Sequence, residues 1–325
     1  MNIYDIAKMC GVSTATVSRV INGGSVSEET RSRVNAVLNK TGYRPNPYAQ
    51  GMNLGSMRVI GIMVSEINDL YYVRAVSTLE QSFRRLGYDI ILYSVEPTPK
   101  NVRKYIDQLL SRKVAAIFTV GSVFHEVQDE LSTDGTIPII TVNLETENNE
   151  CYNVFCDDDA ALEDAVRFLY ERGHRSFLYL YDNETVSGTA KLHGFRRGIK
   201  ACGLDESAAL VYNCPRDIYA AQETAAQLLT EHSDITAVLT SVDELAVGVL
   251  KAAPSIGKCV PKSLAVIGYD NSILSDCATP RITSIDNKVD DLCTLGVNLF
   301  SDLTEGKPVA RKYILNCELI EKETT

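Results

Sequence analysis

Six residues near the amino terminus carry the clearest chemistry in this sequence. Ser13, Thr14, Ala15, Thr16, Ser18 and Arg19 are small or hydrogen-bonding side chains clustered within one short segment. Placed at and just after a helix start, their hydroxyls and the first-turn N–H groups suit phosphate oxygens. Small side chains let such a helix enter the major groove, and Arg19 is long enough to reach a phosphate or a base edge. The residues alone leave three readings open: a DNA-binding helix pair, a small protein-interaction bundle, or an incidental pair of capped helices.

Other reactive residue types do not assemble into a recognisable catalytic pattern. His125, His174, His193 and His232 are widely separated, and Cys151 and Cys156 have no nearby histidine. There is no GxxxxGK phosphate loop, no GxSxG nucleophile elbow and no GxGxxG fingerprint. The triplet Asp157-Asp158-Asp159 precedes the apolar-periodic stretch Ala160 to Leu169, so it reads as a capped, dipole-favoured helix start rather than a magnesium site. No catalytic residue, metal or cofactor is expected.

The groove-seeking side chains need a scaffold. Ile3, Ile6, Ala7 and Cys10 recur at helical spacing until Gly11 stops the run, and Val17, Val20 and Ile21 repeat the pattern after a Ser13 cap. A third helix starts at Ser27, carries Val34, Val37 and Leu38, and closes at Thr41-Gly42. One short helix buries too little to be stable, whereas three share a core. Charge separates this head from the rest of the 325 residues. Residues 1–58 hold seven Lys/Arg against three acids, a net +4, while the remaining 25 basic and 39 acidic residues give −14. Hydrophobic residues at 45% and charged residues at 23% describe an ordinary folding chain. Nine cysteines without paired spacing, no basic-then-apolar leader and no long apolar run point to a cytoplasmic, reducing location away from membranes.

The stretch Asp5-Ile6-Ala7-Lys8-Met9-Cys10-Gly11-Val12-Ser13-Thr14-Ala15-Thr16-Val17-Ser18-Arg19-Val20-Ile21-Asn22-Gly23 closely resembles the DNA-binding head of the lactose/galactose repressor (LacI/GalR) family. The resemblance implies base reading by Thr14 and Ala15, with Thr16, Ser18, Arg19 and Asn22 adding phosphate or base contacts. Tyr43-Arg44-Pro45-Asn46-Pro47-Tyr48-Ala49-Gln50 resembles the family's link between head and body. There Asn46 can cap a short hinge helix with Pro47 in its first turn. Tyr43, Asn46 and Ala49 join the expected DNA contacts, and Met52 stands where the family usually has a leucine wedge for the minor groove. The expected organisation is a three-helix helix-turn-helix domain over 1–45, a hinge helix and linker over 46–58, and an effector-binding and dimerisation domain over 59–325.

From Val59 onward, short apolar strands alternate with amphipathic helices in two rounds. This α/β pattern predicts parallel sheets in two lobes, with a crevice outside the carboxyl ends of the strands. Further phrases extend the resemblance through the body: Leu86-Gly87-Tyr88, Gly173-His174-Arg175, Gly268-Tyr269-Asp270 and Pro280-Arg281-Ile282-Thr283-Ser284-Ile285. They imply a two-lobed, periplasmic-binding-protein-like body with crossings near 121–123, 241–243 and 270–285. They also imply a homodimer on palindromic double-stranded operator DNA, controlled by a small ligand, foremost a sugar. Repression relieved by the sugar is the leading version; the alternative is a sugar-binding or enzyme-like protein with an interaction bundle. Lys312 to Ile320 reads as a final apolar strand, which favours a dimer over a tetramer.

For the effector, a sugar pocket needs paired acceptors and donors. Asp243 follows an apolar strand and matches the family's effector-binding aspartate, with a helix cap as the alternative. Asp69 and Tyr71 follow the first strand; Asp69 could also cap a helix and Tyr71 could also pack. Lys191 stands where many relatives have an arginine, and lysine lacks that fork geometry. Asn143, Glu145, Ser187 and Asp286 complete the expected set.

Overall fold

Helical spacing of apolar residues builds the first unit. Helices α1 (Ile3–Cys10), α2 (Thr14–Ile21) and α3 (Glu28–Thr41) bury Ile6, Ala7, Cys10, Val17, Val20 and Val34 in one core. Gly11 and Gly42 end α1 and α3 at φ near +60°, a backbone that costs glycine little. Ser27 caps α3 through the Thr30 N–H. In the computed structural model, which describes residues 2–21, 23–42, 58–182 and 185–325, the chain divides into Met1–Arg58 and Val59–Thr325.

The second unit is two lobes, each a six-stranded sheet flanked by helices. The first sheet has the order β11-β5-β4-β3-β1-β2, where β1 is Val59–Val64, β2 Asp89–Ser94, β3 Ala116–Val120, β4 Ile139–Val142, β5 Cys151–Cys156 and β11 Lys312–Leu315. The second runs β12-β10-β9-β8-β6-β7, from β6 Phe177–Tyr181, β7 Ala209–Asn213, β8 Ala237–Thr240, β9 Ala265–Tyr269, β10 Thr283–Asp286 and β12 Glu318–Ile320. All pairings are parallel except β10 with β12. The inner strands β3, β4, β8 and β9 are buried throughout, as strands covered on both faces require.

Seven α-helices of eight or more residues cover these sheets among the described residues: α4 (Leu70–Arg85), α5 (Pro99–Ser111), α6 (Asp158–Glu171), α7 (Val186–Ala201), α8 (Ile218–Glu231), α9 (Asp243–Ala252) and, after the short α10 (Ile273–Cys277), α11 (Val289–Thr304). The expected helix start at the aspartate triplet is present, with Asp157 accepting the Ala160 N–H at 2.9 Å.

The crossings between lobes lie elsewhere than expected. Residue 157 links β5 of the first sheet to α6, whose Leu162, Val166 and Leu169 pack with Phe177 and Phe195 of the second lobe. Residues 287–288 link β10 to α11, whose Val289, Leu292 and Phe300 pack with Ile62 and Phe118 of the first. The third crossing, 316–317, splits the expected final strand into β11 and β12, one in each sheet. The stretches 121–123 and 241–243 instead precede helical turns that fold back onto their own lobes, through Phe124 and Val127 and through Leu245 and Val249. A turn signal marks where the chain reverses and not which sheet receives it.

The approach of α6 to α7 depends on Gly194. A Cβ there would collide with the Asp159 carbonyl oxygen, which belongs to backbone and cannot swing aside. Gly194→Ala is expected to destabilise the protein by about 1–3 kcal/mol through overpacking, read as a lower melting temperature of the body by calorimetry.

Candidate functional site

The start of α2 is built around Ser13. Its hydroxyl accepts the Thr16 N–H at 3.1 Å and bonds the Thr16 hydroxyl at 2.9 Å, while its carbonyl accepts from Thr16 and Val17. Two of the expected contact residues therefore also hold the helix start in shape. Ser13, Ala15 and Arg19 are exposed, and Thr14, Thr16 and Ser18 are half-buried, while Val17 and Val20 turn into the core. Ser13 holds the Thr16 amide, while those of Thr14 and Ala15 come too early in the helix to have an acceptor one turn back and aim at whatever approaches the helix end. Tyr4, 72% exposed on α1, is a polar-tipped ring that the sequence pattern does not single out. Asn22, Tyr43, Asn46, Ala49 and Met52, with the expected hinge helix, lie outside the described residues.

In the body, the carboxyl ends of β1, β3, β6, β8 and β9 open on a common cleft. Of the expected residues, Asp69, Tyr71, Asn143, Ser187 and Lys191 line its inner part, which encloses about 80 Å³. An outer part of about 330 Å³ shares Ser122, Asn143 and Ser187 and adds Glu145. Asp182, Arg216, Ser241 and Asp270 add the other charged or hydrogen-bonding groups that matter most in the inner lining.

The charged groups in this space are engaged, some by opposite charge and some by neutral partners. Asp69 caps α4 by accepting the Tyr71 N–H at 2.7 Å, and it receives Arg216 of the other lobe at 2.6 and 3.2 Å. Arg216 also reaches Glu244 at 3.1 Å. Burial disfavours its charge, but Glu244 and Asp69 outweigh burial and keep the guanidinium protonated. Lys191 is only 8% exposed; its Nζ donates to the Ser241 carbonyl at 3.2 Å and lies 3.7 Å from the Tyr269 ring centre. That position over a ring face compensates part of the lost hydration of an ammonium. Ser241 in turn donates to Asp182 at 2.6 Å, and Ser187 donates to Asp158.

Asp270 adds a donor of unusual kind. Its backbone sits at φ +91°, and Asn287 Nδ2 donates to its carboxyl at 2.8 Å. Burial pushes this carboxyl up to about 8, against the pull of Lys191 and Arg216. At neutral pH it therefore holds a proton and can both donate and accept. The Tyr71 hydroxyl is buried nearby without a hydrogen-bond partner, as is the Asn287 side-chain oxygen. Unsatisfied buried groups of this kind favour a ligand rich in hydroxyls.

Asp243 lies apart from the expected effector residues that line the cleft. It is 0% exposed and outside the cleft lining, and its oxygens accept from Ser272 N at 2.7 Å, Ser272 Oγ at 2.8 Å and Ser284 Oγ at 2.7 Å. Nor does it cap α9, whose N-cap is Val242. It ties β8, β9 and β10 together in the space that Gly268 leaves, since a Cβ at Gly268 would strike its carboxylate. Burial pushes its carboxyl up to about 6 despite these hydrogen bonds. Asp286 likewise turns away from the cleft lining, accepting the Lys288 N–H at 2.9 Å beside the second crossing. Glu145 is exposed and paired with Lys312 at 3.0 Å. Asp270 carries a readable signal, because it follows a strand end just as Asp243 does. Arg216 carries none, since it stands alone in a loop between Pro215 and Asp217.

Comparison with known proteins adds independent findings. Residues 2–46 match the family described as bacterial regulatory proteins, lacI family, and residues 166–325 match a periplasmic binding protein-like domain. An HTH-type transcriptional regulator of Lachnoclostridium phytofermentans is 37% identical over 100% of this chain and 99% of its own length. Among solved structures, the lac repressor dimer bound to operator and the anti-inducer ONPF superposes with a TM-score of 0.87 at 23% identity, covering 100% of this chain and 98% of that one. The transcriptional regulator CelR–cellobiose complex superposes at 0.71 and 23% identity, with 100% of both chains covered.

The raised carboxyl of Asp270 has a testable sign. Unfolded, this group releases its proton near its ordinary value of 3.8, whereas folded it holds the proton to about 8. The folded state binds more protons in between, so this contribution to stability is lost as pH rises from about 4 to about 8. Asp270→Asn removes that loss and is expected to melt higher than the parent at pH 8, with a shallower decline in melting temperature across the window.

Proposed function

Because the chain belongs to the lacI family of bacterial regulatory proteins and is thereby a DNA-binding transcriptional regulator, we propose that it is a repressor working as a homodimer on a palindromic operator. The observation that carries the reading is the exposed start of α2. Ala15 and Arg19 stand outside a core formed by the buried face of the same helix. In this reading Thr14 and Ala15 meet base edges, where a small side chain permits close approach. Ser13, Thr16, Ser18 and Arg19 hold phosphates or add to base contacts. Asn22 and Tyr43 extend the contact, and Asn46, Ala49 and Met52 serve in a hinge that meets the minor groove. The net +4 of residues 1–58 favours approach to phosphate, and the −14 of the remainder keeps contact confined to the heads.

The body acts as the sensor, and its ligand is a neutral sugar. Cellobiose in the CelR complex supports this choice, as does a cleft in which Asp69 and Arg216 are paired, Lys191 is seated on Tyr269 and Asp270 is protonated. A phosphorylated sugar would bring two negative charges into a space without an uncommitted cation among the described residues. Hydroxyls, by contrast, can donate to Asp69 and Asp182 and accept from Arg216, Lys191 and Tyr71. Contact with residues of both lobes makes ligand affinity depend on lobe arrangement, which is the condition for coupling to DNA affinity. Repression is relieved by the sugar. No catalytic step is assigned, and the protein works in the cytoplasm, where its operator lies; no helix among the described residues is long and apolar enough to cross a membrane.

Operator binding can be measured by fluorescence anisotropy with palindromes selected from a random pool. Arg19→Ala is expected to weaken binding by about 1–3 kcal/mol and to flatten its salt dependence, with the melting of the body unchanged. Equal loss of DNA binding and body stability would point to unfolding and count against the assignment. Removing residues 1–57 is expected to abolish operator binding while leaving sugar-induced thermal shifts of the body intact. A body stabilised by sugar phosphates and not by neutral sugars would overturn the ligand class.

A further inference from the structure

Two cysteines meet where the lobes are joined. Cys156 ends β5 at the entrance to the first crossing, and Cys317 lies in the third crossing, between β11 and β12. Leu315 stands opposite Cys156 in the β5–β11 ladder, which brings Cys317 round two residues further on. The Cys156 Sγ lies 2.7 Å from the carbonyl oxygen of Asn287, a residue of the second crossing. Cys317 Sγ lies 3.5 Å from the Tyr269 hydroxyl and 3.9 Å from the carbonyl oxygen of Asp157 in the first crossing. Cys156 is 5% exposed and Cys317 is half-buried, so a small oxidant reaches the pair from the Cys317 side.

We infer that Cys156 and Cys317 are a redox pair whose disulfide ties the first crossing to the third and holds the lobes in one arrangement. The oxidant belongs to the hydroperoxides, ROOH. The Cys317 sulfur attacks the O–O bond, giving a sulfenic acid at Cys317 and releasing ROH. The Cys156 sulfur then attacks that sulfenic sulfur, forming the S–S bond and expelling water. Two thiols lose two electrons and two protons, and one hydroperoxide becomes one ROH and one water.

Geometry assigns the order. Cys156 is the more buried of the two and gives its S–H to the Asn287 carbonyl, and the adjacent Cys317 together with burial raises its thiol well above the ordinary cysteine value. It is therefore the resolving thiol, and the reaction is slow at neutral pH and faster in alkali. Lobe rotation must be absorbed by backbone torsions in the three crossings. A covalent tie between two of them removes most of that freedom, whatever occupies the cleft.

The test uses the full chain with Cys202, Cys259 and Cys277 changed to serine, because these thiols are exposed or half-buried and compete for oxidant. After hydrogen peroxide, a non-reducing peptide map is expected to show Cys156 joined to Cys317, with a mass lower by two hydrogens. The melting temperature should rise and hydrogen exchange around 287–288 should slow, both reversed by dithiothreitol. Cys156→Ser and Cys317→Ser should each abolish the link and both shifts. Sulfinic acid at Cys317 without a link, pairing with a different cysteine, or a link that changes neither melting nor exchange would each overturn the inference. Should either of these two serine variants fail to fold, the peptide map, melting and exchange of the chain that keeps both cysteines still decide between these outcomes.

Discussion

A charge taken out of water must find compensation, and the body of this protein is organised around that requirement. Asp69 and Arg216 compensate each other across the lobes, Lys191 rests on Tyr269, and Asp158 accepts from Tyr269 and Ser187. Asp243 commits its oxygens to Ser272 and Ser284, and Asp270 meets the requirement by keeping its proton. Removing one partner of such a set leaves the other buried and unpaired, which costs more than the pair contributes. The cleft is polar and yet has little free charge, a combination suited to a hydroxyl-rich neutral molecule.

The same groups connect the cleft to the crossings. Lys191 and Ser187 line the cleft, Tyr269 lies beneath the lysine, and Asp158 receives both Tyr269 and Ser187 at the first residues after the first crossing. Tyr269 also touches Cys317 of the third crossing, and Asn287 of the second donates to Asp270. The cleft is therefore joined to all three connections by a chain of direct contacts. Packed interiors resist continuous deformation, so such a network is suited to switching between discrete arrangements.

Much of the architecture is legible in the sequence because it rests on local rules. The three head helices follow from apolar spacing and from Ser13, Ser27, Gly11 and Gly42 as boundary residues. The alternation of buried strands and amphipathic helices announces two parallel sheets, and Asp157 announces the start of α6. Strands β4 and β5 escape the pattern, because short apolar runs between polar turns have no periodicity of their own. The split of 312–320 into strands of different sheets is equally hidden, since Asn316 and Cys317 carry no turn signal strong enough to divide the run.

By itself the sequence determined the helix-turn-helix head, the two-lobed α/β body and the family, because these depend on spacing, caps and motifs that neighbouring residues define. Only the tertiary structure decided which carboxylate faces the cleft and where the chain changes lobes. Asp243 and Asp270 both follow a strand end, and what separates them is Ser272 and Ser284, more than twenty residues from Asp243, closing around one carboxylate and not the other. Partners brought together from distant positions leave no trace in local pattern, and neither does the loop arginine, Arg216, that meets Asp69 across the lobes.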